Sequence, residues 1–86
     1  MIIIKSKDFL IEINNIRLSI EKETLHSDPT YYVCNRDGDS KLILFTSKNN
    51  ESARTFLNMF SCTINGLDRH KYNVIDITEI KENMCK

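Results

Sequence analysis

The chain has little glycine or proline and no net charge, and each shortage excludes a class of chemistry. Two glycines among 86 residues cannot build the loops that cradle phosphates, and none of G-x-x-x-x-G-K, G-x-G-x-x-G or G-x-S-x-G occurs. Lys and Arg number 12, against 12 Asp and Glu. The uncompensated positive charge with which a nonspecific nucleic-acid binder displaces counterions is therefore missing, and the chain is equally no acidic mimic of DNA. No run approaches the roughly 20 apolar residues of a membrane span. Ile2-Ile3-Ile4 is broken at once by Lys5, Lys7 and Asp8, too soon for a signal-peptide core. A cytoplasmic protein with neither membrane nor nucleic-acid partner is the expectation.

Cys34, Cys62 and Cys85 are the 3 cysteines, an odd number without a C-x-x-C pair, so they form no disulfide framework. Cys34 in a strand and Cys62 in a helix read as small apolar side chains, and Cys85 as an exposed residue near the end. The 2 histidines, His26 and His70, fall far apart in predicted loops, and no close ligand pair starts a zinc site. Neither Cys34 nor Cys62 stands at a helix N-terminus that would stabilise a thiolate. Asn35-Arg36-Asp37-Gly38-Asp39 has the oxygen ligands of a calcium loop, but Thr46 stands where an EF-hand needs its bidentate glutamate. The expectation is a protein without cofactor or metal, and not an enzyme.

What is present describes architecture. With 41% hydrophobic residues the chain holds a single domain, 1–86, at a size where burial only modestly exceeds the entropy of ordering. Ile2 to Lys5 is a short strand. Phe9, Ile11 and Ile13 alternate with polar or opposite-facing residues, as do Ile16, Leu18 and Ile20 after Asn14-Asn15. If Asn14-Asn15 is a two-residue turn, these two strands pair as a hairpin. Glu21 to Pro29 loses the alternation and reads as a loop. Thr30 to Asn35 and Lys41 to Thr46 flank Asp37-Gly38, a hairpin signal. In the second of these strands Leu42, Leu44 and Thr46 face one way, and Lys41, Ile43 and Phe45 the other.

Asn49 or Asn50 is a suitable N-cap, with Glu51 in the first turn. Ala53, Phe56, Leu57, Phe60 and Ile64 then form one helical stripe, ended by Gly66 as a C′ residue. Asn73 to Ile80 reads as a last strand and 81–86 as a fraying tail. The predicted fold is α+β: an antiparallel β-meander of five or six strands with one helix on one face, in the order β-β-β-β-β-α-β.

One helix about 10 Å wide cannot cover both faces of a sheet about 20 Å across. The second face, with Ile43, Phe45 and the outward member of the Tyr31-Tyr32 pair, taken as Tyr32, is the candidate surface for a protein partner or a second copy as a homodimer. An alternative is an oligomeric small-ligand or nucleotide-binding protein of the sponge kind. There Arg17, Tyr32, Arg69 and Lys71 supply anion and base contacts.

The segment Asp37-Gly38, the strand Lys41 to Thr46, and Ser47-Lys48-Asn49-Asn50-Glu51 opening a helix with Phe56 and Phe60 resembles two groups. One is the small uncharacterised proteins of Firmicutes and their phages that end a β-meander in such a helix. The other is the small phage-encoded anti-CRISPR inhibitors. The resemblance covers about the middle third of the chain. It implies a phage or mobile-element protein that inhibits a host defence protein by binding, and carries over no site residue.

Overall fold

A computed structural model describes residues 2–25, 28–67 and 73–84. Its elements are β1 (Ile2–Lys5), β2 (Leu10–Ile13), β3 (Leu18–Leu25), β4 (Asp28–Asp37), β5 (Ser40–Ser47), α1 (Asn50–Asn65), β6 (Asn73–Asp76) and α2 (Ile77–Met84). The fold is α+β, with α1 packed on β3, β4 and β5. The strands divide between two three-stranded sheets, ordered β2-β1-β6 and β3-β4-β5.

The β3-β4-β5 sheet is the meander. Asp37 pairs with Ser40 and leaves Gly38-Asp39 as the turn, with Gly38 at φ +62°, a backbone conformation that only glycine adopts without a Cβ penalty. The expected loop from Glu21 to Pro29 is instead strand through Leu25 and again from Asp28. Cross-strand pairing extends through this segment: Lys22 lies opposite Tyr31 and places Nζ 5.9 Å from its ring centroid, a cation over an aromatic face.

A β-bulge changes the orientation of β5. Cys34 stands opposite Ile43 and Val33 opposite Phe45, so Leu44 is the extra residue. A bulge resets strand alternation. Leu44 is buried, and Phe45 also turns inward, stacked on Phe56 with centroids 4.8 Å and planes 5° apart. Lys81 of α2 covers Phe45 with Nζ 6.0 Å from the centroid. The expectation that Phe45 shares an open face with Ile43 is therefore corrected.

In the other sheet β1 runs antiparallel to β2 and parallel to β6. Asn14-Asn15 closes no hairpin, because β2 and β3 lie in different sheets. Residues 14–17 cross between them, and β4 fixes the crossing. Asn35, 1% exposed, accepts the Arg17 N–H at 2.8 Å through Oδ1 and donates to the Asn15 carbonyl at 3.1 Å through Nδ2. Asp37 accepts the Asn14 N–H at 3.3 Å and the Asn15 side-chain amide at 3.0 Å. These bonds satisfy backbone groups that a hairpin ladder would otherwise have paired.

The first helix follows its sequence signals. Asn49 accepts the Glu51 N–H at 2.8 Å, and Ala53, Phe56 and Phe60 are fully buried. Gly66 ends it in a right-handed conformation, φ −86°, with its N–H on the Cys62 and Thr63 carbonyls; the left-handed C′ geometry is not used.

The last strand stops at Asp76, and the expected continuation to Ile80 with a fraying tail is instead α2. Asp76 Oδ1 accepts the N–H groups of Thr78 at 2.9 Å and Glu79 at 3.4 Å, an N-cap that offsets the orphan donors of the first turn. Ile77, Ile80 and Met84 then face the core. One apolar cluster joins Ile4, Ile13 and Ile75 of the first sheet to Val33 and Leu44 of the meander, Phe56 and Phe60 of α1, and Ile77 and Ile80 of α2.

Candidate functional site

With both helices and the core on the inner side, each sheet keeps an open face, and the two differ in chemistry. On the meander, Ser19, Glu21 and Glu23 of β3, Tyr32, Cys34 and Arg36 of β4, and Lys41 and Ile43 of β5 alternate outward. Glu21 is the hub: Arg36 Nη2 donates to Oε1 at 2.9 Å, and Lys41 Nζ stands 3.4 Å from Oε2. Tyr32 donates its hydroxyl to Glu23 at 3.0 Å. The Cys34 thiol, followed by Arg36 and Lys41, holds the Glu21 carboxyl below its ordinary range by hydrogen bonding. The bond to Glu23 raises the Tyr32 hydroxyl.

Cys34 has 0% exposure and its thiol is pushed up to about 11, by burial first and by Glu21 second. It stays protonated at neutral pH, the wrong state for a nucleophile. Cys34 is buried as a small side chain beside Glu21, as expected, whereas Cys62, read likewise as a small apolar side chain, is exposed on α1. On this face Glu21 therefore gathers both cations while Glu23 is held by the Tyr32 hydroxyl, and Ile43, 43% exposed, is its one exposed large hydrophobic residue among those described.

The open face of the β2-β1-β6 sheet is different. Ile3 lies between Glu12 and Val74, and Lys5 between Leu10 and Asp76. Leu10 is 66% and Val74 55% exposed. Ile11, next to Leu10 on β2, is 38% exposed although it belongs to the inward row. A groove of about 290 Å³ lies beside this strand, lined by Ile11, Glu12, Ile13, Asn35, Asp37, Ser40, Lys41 and Leu42.

Of the residues the sequence singles out for a partner, Tyr32 and Ile43 share one depression on the open meander face, and Phe45 lies on the opposite side against Phe56. Of those singled out for a small ligand, Arg17 lines a separate depression with Arg36 and Gly38, apart from Tyr32. Arg69 and Lys71 lie outside the described residues, as do His26, His70 and Cys85. Among the described residues no three His, Cys, Asp or Glu side chains gather as metal ligands, and no helix is long and apolar enough to cross a membrane.

Sequence reasoning missed Leu10, Val74 and the β2 edge. The signal for Leu10 was present, since Leu10-Ile11 puts large apolar groups on both faces of a strand. Val74-Ile75 carries the same signal, but which of the two faces outward is set by pairing with a strand about 70 residues earlier. Set against protein-family models, curated proteins and solved structures, the chain matches none.

Proposed function

We propose that this chain is a non-enzymatic protein-binding module, working by docking the β2 side of its smaller sheet on another protein. One observation carries the reading. β2 is an edge strand, and Leu10 and Ile11, two of the four exposed large hydrophobic residues among those described, are neighbours on it. Edge strands of folded proteins are ordinarily blunted by charge, proline or cover, because unpaired backbone groups beside apolar side chains recruit other chains. β2 carries a single charge, Glu12. The phage or mobile-element setting, with a host defence protein as target, rests on the resemblance of the hairpin-to-helix segment and belongs to this proposal.

The test is differential capture by the immobilised full chain and its Leu10→Asp variant, with each candidate repurified and titrated by calorimetry. The reading expects a stoichiometric partner bound at least about tenfold more weakly by the variant, the effect of placing a charge in a desolvated contact. Partners held equally by both proteins would overturn it. The small-ligand alternative gains no comparable support, since Arg17 and Tyr32 stand in different depressions.

A further inference from the structure

The groove beside β2 is bordered by two strand edges. β2 is an edge strand of one sheet and β5 of the other, and the groove touches three consecutive residues of each: Ile11, Glu12 and Ile13, and Ser40, Lys41 and Leu42. Consecutive strand residues point to opposite faces, so a groove that meets three in a row follows the edge, where unpaired backbone donors and acceptors lie. No backbone hydrogen bond outside the ladders involves these six residues among those described. We infer that this groove takes an extended segment of a partner protein as an added strand, one carrying alternating apolar and basic residues.

The apolar requirement comes from the lining. Ile13 is 4% exposed and Leu42 half-buried, and both belong to or pack on the core, while Ile11 forms the rim. Main-chain bonding along an edge gives affinity in such complexes, and contacts to alternate side chains give selectivity. The basic requirement comes from charge. Glu12 forms no ion pair among the described residues, and Asp37 is occupied only by the neutral groups of Asn14 and Asn15. Lys41, the one cation of the lining, reaches Glu21 on the meander's outer face. The groove is thus left with two carboxylates that a basic segment complements. It is also preformed, because Asn35 and Asp37 tie the chain leaving β2 to β4.

This inference rests on the protein-binding reading and names its site and ligand chemistry. The test titrates the isotope-labelled full chain with acetyl-Lys-Val-Lys-Ile-Lys-Val-amide, its Lys-to-Glu counterpart, and a version with alternate backbone amides N-methylated. Amide shifts and hydrogen exchange are read by NMR. The expected result is saturable shifts centred on 11–13 and 40–42, with exchange at those amides slowed about tenfold or more. Affinity should fall by a similar factor for the acidic and N-methylated peptides.

Glu12→Lys, a substitution at an exposed position, should narrow the preference for the basic peptide about fivefold, and Leu42→Glu should abolish binding. Binding that tolerates N-methylation, shifts located elsewhere, or no saturable shift with any peptide would overturn strand addition. Protection of the same edges that grows with protein concentration and without peptide would overturn it too, by making a second copy the occupant. Loss of a partner by Leu10→Asp alongside a groove that ignores all peptides removes this inference and leaves the protein-binding reading standing.

Discussion

The two sheets share one core and finish their outer surfaces in opposite ways. On the meander, Glu21 gathers Arg36 and Lys41, Tyr32 is tied to Glu23, and Cys34 is sealed beneath them. Among the described residues two buried oxygens there lack a hydrogen bond, the Ser19 hydroxyl and Glu21 Oε2, the latter facing the Lys41 ammonium at 3.4 Å. The smaller sheet presents Leu10 and Val74 to solvent. A face whose charged and polar groups are largely bonded to one another gives a partner less to gain, since docking must first replace those bonds. A face of exposed apolar groups beside a free edge gains by being covered. The difference separates the surface completed for water from the one suited to contact.

The largest way to break this comparison is at the shared core. Phe56 stacks on Phe45 at 4.8 Å and on Phe60 at 6.0 Å, so Phe56→Ala should lower stability by about 3–5 kcal/mol. Denaturant titration followed by two probes, one in each sheet, should show both sheets melting together. Next is the link between sheets. Asn35→Ala leaves the Arg17 N–H and the Asn15 carbonyl without their partner, and a loss of about 1–3 kcal/mol is expected from denaturation. Hydrogen exchange should then accelerate in β2 more than in β5, a distinction that a uniform destabilisation lacks. Asp76→Ala removes the α2 cap and should cost about 1 kcal/mol, with loss of helical ellipticity confined to a small fraction of the total.

The smallest effects are on the meander's polar face. The Glu21 carboxyl is held below its ordinary value of 4.5. Its contribution is therefore complete above that value and is lost as pH falls through the lowered one. Glu21→Gln should flatten that part of the acid limb of a stability-pH curve. The Cys34 thiol, raised from 9.0 to about 11, has the reverse consequence. The unfolded chain ionises first, so stability should decline as pH climbs from about 9 to about 11, and Cys34→Ala should reduce the decline to the part that the raised Tyr32 hydroxyl contributes. In a Cys85→Ser background, a thiol reagent should modify exposed Cys62 at once and buried Cys34 only as the fold opens.

What was legible in the sequence was local chemistry. Asp37-Gly38 requires a turn, Asn49 with Glu51 starts a helix, and Ala53, Phe56 and Phe60 lie on its buried stripe. The rest depended on distant partners or on one inserted residue. The parallel pairing of β1 with β6 leaves no mark in either segment. The bulge at Leu44 moves Phe45 across the sheet without altering the hydrophobic pattern. α2 was the readable exception: Asp76-Ile77-Thr78-Glu79 has the residue types of a capping box, and the β-branched residues around it favour the strand reading. The candidate surface moved accordingly, from Ile43 and Phe45 on the meander to Leu10, Ile11 and Val74 on the smaller sheet.

Leu10→Asp and Ile43→Asp place the same charge on the two open faces, and quantitative partner capture by the two immobilised full-length variants compares those faces directly. The account predicts that Leu10→Asp loses the partner and that Ile43→Asp keeps it. Retention by Leu10→Asp with loss by Ile43→Asp would contradict it and return the interaction surface to the meander.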